Sequence, residues 1–203
     1  MTIAFTTSNI FQLFSAISPL LLGFFLVMSS LFNLNLKGLV YLAGVLLASA
    51  INILLMQVIK NPKSPGRNFA CNMIEYPDVM TSYDSPSISS VFIAFTTAYL
   101  VLPMNYNEQM NYPVLACLLF LLGMDGYNKV RLSCTPTSGV IFGSLFGFLL
   151  GSIWYLIFHK GGYDSLLYFD ELKSNKVMCS KPSKQTFKCS VYKNGQLVSS
   201  NIT

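Results

Sequence analysis

The chain has 203 residues, of which 53% are hydrophobic and only 10% are charged, and its mean hydropathy is +0.53. Soluble domains carry about 25% charged residues, so this composition excludes an ordinary water-soluble domain and points to an integral membrane protein. The net charge of +5 comes without any compact basic run, which argues against a nucleic-acid partner; basic residues beside apolar spans set orientation or touch anionic lipid.

Residues 1–12 mix polar and apolar side chains and read as an amphipathic lead-in along the interface or as a frayed first turn. They show no positive n-region and no cleavage site, so no cleaved signal peptide is expected. Crossing a bilayer takes about 20 apolar residues. Span one fits residues 13–32, with Pro19 near its start, where a missing N–H does least harm. A turn at 33–37 leads to span two, residues 38–59. Its polar residues, Asn52 and Gln57, read as interhelical hydrogen-bond partners.

The segment 60–89 breaks the apolar pattern. It holds three basic residues, three acidic ones and four prolines, which argues against a continuous helix. Span three is expected at 87–103, and a polar loop with two tyrosines follows at 104–112. Span four, 113–126, is short and ends in Asp125, Lys129 and Arg131. Asp125 and Lys129 are four apart and can pair on one helix face. A second break spans 133–138. In span five, 139–158, Gly139, Gly143, Gly147 and Gly151 line one face, a spacing that lets helices approach closely. Trp154, Tyr155, His159 and Lys160 close it as an interfacial belt. His159 is the only histidine and reads as structural.

Residues 161–203 are polar, basic and too hydrophilic to span. Asn194-Gly195 between strand-like runs is a hairpin signal. Five cysteines stand at 71, 117, 134, 179 and 189, with no Cys-x-x-Cys pattern. Cys179 and Cys189 are the disulfide candidate, and Cys117 reads as a small core residue. Asn201-Ile202-Thr203 matches a glycosylation acceptor but falls on the wrong side of the expected topology. The expected fold is thus an all-α integral membrane bundle of about five helices, residues 1–160, with a small extramembrane β-hairpin tail, 161–203. Five spans place the 60–89 and 128–138 breaks on one face and the tail on the other. The tail face carries Lys37, Lys160 and six tail lysines against five Lys/Arg opposite, which puts the tail in the cytoplasm.

The polar breaks carry a pattern. Lys60 and Arg67 are separated by six residues. Pro86-Ser87-Ile88-Ser89 opens span three. Asn128-Lys129, then five residues, Thr135, three residues and Gly139 open span five. In this order and placement they resemble, in degraded form, the Lys-x6-Arg-Pro, Pro-Ser-Gly-His and Ser-Arg-x5-His-x3-Asp elements of the type 2 phosphatidic acid phosphatase and haloperoxidase family. The resemblance covers residues 38–154. It implies phosphate binding by Lys60, Arg67, Ser87 and Lys129. It also implies lost catalysis: the leaving-group histidine, the nucleophilic histidine and its aspartate correspond to Ser89, Thr135 and Gly139. Acid–base and nucleophilic work at neutral pH needs a group titrating near that pH, and these three supply none. An alternative register sets Arg131 and Thr137 at the Arg and His positions, with the same outcome.

The expected function is therefore a catalytically inactive, lipid-phosphatase-like membrane protein with a structural or scaffold role that retains phosphate or headgroup binding. The alternative is a structural membrane protein of a large assembly, such as a viral internal membrane or an organellar complex, with no ligand role. An active phosphatase, another enzyme or a transporter ranks lower, since the spans show no buried ionisable residue of the kind that marks ion paths. Expected partners are membrane lipids and neighbouring proteins touching the tail. No cofactor and no metal are expected.

Overall fold

The computed structural model describes residues 6–63, 71, 82–170, 189–193 and 196–201. Five helices dominate them: α1 (Thr7–Phe32), α2 (Lys37–Ile59), α3 (Ile88–Tyr106), α4 (Tyr112–Arg131) and α5 (Thr137–Lys160). Each is long and apolar enough to cross a membrane, so the chain is an all-helical multi-pass membrane protein in its main unit. Two boundaries differ most from the hydropathy reading. The α1 helix starts at Thr7, capped by the Thr6 hydroxyl on the Asn9 N–H. The α4 helix runs past Gly126 to Arg131, because a helix continues on backbone hydrogen bonds after its apolar stretch ends.

The centre is α3. Of its span 72% is buried, against 22–33% for the other four. Its sequence suits that place: Ser89, Ser90, Ala94, Thr96, Thr97 and Ala98 are small and all buried. The Thr96 and Thr97 hydroxyls donate back to the Phe92 and Ile93 carbonyls at 2.9 and 2.7 Å, so they cost little in an apolar surround. The outer helices expose Phe24, Phe25, Leu46, Phe120 and Leu145, as lipid-facing surfaces do. Cys117, expected in the core, is exposed on α4; an apolar run does not say which of its faces points inward.

The glycine row of α5 lies against α3. A Cβ on Gly143 would stand 2.9 Å from the Ser87 carbonyl oxygen, and one on Gly151 would stand 2.5 Å from that of Phe95. A Cβ on Gly147 would collide with the Val91 carbonyl oxygen. Backbone therefore packs on backbone along this seam. On the side of α2, Tyr41, Phe95 and Tyr99 pack with ring centroids 5.7–6.5 Å apart, and the Tyr41 hydroxyl is hydrogen-bonded to Thr96 Oγ1 at 2.7 Å. Asn52 donates from α2 to the Pro86 carbonyl at 3.3 Å, in the segment just before α3 rather than on a neighbouring helix. Gln57 is exposed instead.

At the C-terminal end of α5 the chain does not leave the bundle at once. Residues 161–170 fold beneath it around a 3-10 turn, Asp164–Leu166. Leu167 is fully buried. The Tyr168 hydroxyl donates to the Leu26 carbonyl at 2.7 Å, and the Asn107 amide donates to the Phe169 carbonyl at 2.6 Å. Lys37 pairs with Asp170 at 2.5 Å. His159 bonds Asp164 at 2.7 Å between the rings of Tyr106 and Tyr155, a structural place for the lone histidine. Trp154 donates to the Val40 carbonyl at 3.2 Å. The compact unit accordingly spans Met1–Lys173, ending later than Lys160, and a second unit comprises Ser174–Thr203. In that second unit, β1 (Cys189–Lys193) pairs antiparallel with β2 (Gln196–Asn201) with an irregularity between Val191 and Tyr192. Asn194 and Gly195 lie outside the described residues.

Candidate functional site: a polar corner at one end of the bundle

Three polar segments, distant in sequence, meet at one end of the bundle. The first is the end of α2. Lys60 takes a left-handed conformation (φ 53°) that stops the helix, with its N–H on the Met56 carbonyl. The chain then runs beside residues 82–84: the Lys63 N–H donates to the Ser82 carbonyl at 3.2 Å and the Asp84 N–H to the Asn61 carbonyl at 3.0 Å. This pairing delivers the second segment, 84–90, to the end of α2. The third segment closes on the second through two bonds. The Ser87 N–H donates to the Gly139 carbonyl at 3.1 Å, and the Thr135 hydroxyl donates to the Asp84 carbonyl at 3.3 Å.

The inner side of this corner is a hydroxyl–carboxylate network. Ser89 and Ser90 donate to the same oxygen of Asp125, at 2.6 and 3.2 Å. Ser90 also lies 3.1 Å from the Ser87 hydroxyl. Asp125 is 1% exposed. This corrects one expectation. Asp125 is a buried acceptor for α3, so the spans do hold a buried ionisable group. It was misjudged because a charge near the end of an apolar run resembles an interfacial one until the helix is seen to continue.

Beside Asp125 lies a cavity of about 40 Å³, lined by Gln12 and Ser15 of α1, Ser89 of α3, Asn128 and Lys129 of α4, and the Cys71–Cys134 pair. That is room for about three water molecules. The Asn128 side chain is 3% exposed, and both its amide nitrogen and its amide oxygen lack a hydrogen-bond partner. Such orphans are rare in folded proteins.

Cys71 and Cys134 form a disulfide with Cα atoms 5.4 Å apart, inside the range such bonds require. Sequence reasoning passed over this pair, although it had already placed both breaks on one membrane face; that shared face was the available signal. Of the pair chosen instead, Cys179 lies outside the described residues and Cys189 is known only as backbone of β1.

The remaining candidates fall as follows. Lys60 is exposed. Arg67 lies outside the described residues. Ser87 is the buried N-cap residue of α3 and does not line the cavity. Lys129 does line it, as does Ser89. Thr135 is buried with its hydroxyl engaged. Gly139 has no room for a side chain: a Cβ would stand 2.6 Å from the Thr135 methyl and 2.8 Å from the Ser85 hydroxyl. Gln12 and Asn128 were not foreseen as wall residues.

No protein-family model matches the chain, and no curated protein or solved structure matches it.

Proposed function

We propose that this is a non-catalytic membrane protein, a degenerate relative of the phosphatidic acid phosphatase and haloperoxidase family. In this reading it serves as a structural or scaffold component of its membrane and holds a phosphate-bearing headgroup at the polar corner. One observation carries the reading. The three segments that resemble the family's phosphate elements are joined at one end of the bundle, while the positions of its two histidines and aspartate are Ser89, Thr135 and Gly139, all taken up by structure. Lys129 in the cavity wall and Lys60 at the same end supply the cations that a phosphate in a partly dry site needs.

The disulfide supports an orientation. Such bonds persist in oxidising compartments, so the corner faces a lumenal or external space and the tail faces the cytoplasm. The charge asymmetry has the same sign, with Lys37, Lys160 and six tail lysines on the tail side. The tail is then a small extramembrane hairpin, free to contact neighbouring proteins.

The test uses the full chain reconstituted in lipid nanodiscs. Release of inorganic phosphate from phosphatidic acid should stay at the protein-free background. Binding of a phosphate-bearing lipid should weaken about tenfold, or 1.4 kcal/mol, in Lys129→Ala. Phosphate release that disappears in Thr135→Ala would overturn the reading.

A further inference from the structure

We infer that the cavity at Asn128 admits the primary ammonium end of a phosphoethanolamine-type headgroup, and so selects a zwitterion over a bare phosphate. The inference rests on the headgroup reading above and names its ligand class.

The first argument is the orphan amide. Asn128 is buried with neither its donor nor its acceptor used, and leaving a buried polar group unpaired is costly. Its oxygen calls for a donor and its nitrogen for an acceptor, so the complementary group carries both. The second argument is sign. Asp125 and Lys129 share the wall. A phosphate dianion placed there meets a carboxylate at short range in a poorly screened site, and a simple cation meets an ammonium. A headgroup with an ammonium two carbons from its phosphate satisfies both, its cation toward Asp125 and the Asn128 oxygen, its anion toward Lys129. Buried ionisable residues within membrane helices are expensive and mark sites, and Asp125 is one. The third argument is size. A volume of about 40 Å³ takes an aminomethylene end, whose two heavy atoms need less than the room of three waters. A trimethylammonium carries no N–H to give the Asn128 oxygen, whereas a primary ammonium carries three.

The test is native mass spectrometry of the full chain released from nanodiscs, titrated with short-chain phosphatidylethanolamine, phosphatidylcholine and phosphatidic acid, and with soluble phosphoethanolamine. Phosphatidylethanolamine should bind about tenfold tighter than either other lipid. Asn128→Leu and Asp125→Asn should each remove that preference while phosphatidic acid binding remains. Asn128→Ser serves as a second variant, with intact disulfide and unchanged melting temperature as the folding control. Soluble phosphoethanolamine that binds as tightly as the lipid assigns the same chemistry to a free metabolite. Phosphatidic acid binding with no preference for the amine overturns this inference and leaves the headgroup reading standing. No binding of any phosphate compound removes both, and the cavity is then a water site.

Discussion

The α3 helix has two contrasting seams. Toward α5 it meets three glycines, Gly143, Gly147 and Gly151, and backbone comes close to backbone. Toward α4 it meets Asp125 through two serine hydroxyls, and a cavity opens beside the contact. In a bilayer no hydrophobic force drives helices together, so close packing and interhelical hydrogen bonds hold them. This protein assigns one device to each side of the same helix. The glycine seam is closed and specifies geometry. The polar seam is open and leaves both polar atoms of the Asn128 amide without a partner.

Substitutions can separate the two. The largest effect is expected on the glycine seam. Gly147→Leu has nowhere to put its side chain against the Val91 carbonyl, and overpacking of this severity costs about 3 kcal/mol or more; loss of monodisperse protein in detergent checks it. Next comes Asp125→Ala, which strips Ser89 and Ser90 of their acceptor. Membrane hydrogen bonds of this kind are worth about 1–2 kcal/mol, so thermal unfolding should shift downward while the protein still folds. Asn128→Leu should move the other way: removing two orphaned polar atoms stabilises by about 1 kcal/mol, whereas amine-headgroup binding disappears. A destabilised Asn128→Leu would mean that the amide has a structural partner, and the contrast between the seams would fail. The smallest effect belongs to Lys37→Ala. Its pair with Asp170 is about a fifth to a quarter exposed, and surface pairs contribute at most about 1 kcal/mol.

The spans were legible because apolar run length and the bilayer thickness are tied by one number, the helix rise. The α5 seam was legible because glycines at intervals of four share a face whatever they pack against. The convergence of Lys60, Ser87 and Thr135 at one end followed from counting spans. What stood at that end did not follow. Asp125 and Asn128 lie three apart on α4, and only the rotation of that helix about its axis decides that both turn inward; hydropathy carries no such phase when the run is apolar all round. Gln12 was hidden for a related reason, since a polar residue in the first turns of α1 looks interfacial until α1 is seen to lean on α4. Residues 161–170 were assigned to the tail on polarity, yet Leu167 and Tyr168 tuck beneath the bundle. Two apolar side chains in a polar stretch are too weak a signal to predict docking.

The bond between Cys71 and Cys134 bears on how the chain is threaded. Its two halves flank α3 and α4, so they meet only after both of those helices have been inserted in the correct sense. In the orientation proposed above, Cys71 waits until then as an unbonded thiol on the lumenal or external side. Its consumption is a chemical record that the middle of the protein has been inserted the right way round, and pulse-labelled chains truncated before Cys134 should keep it open to alkylation.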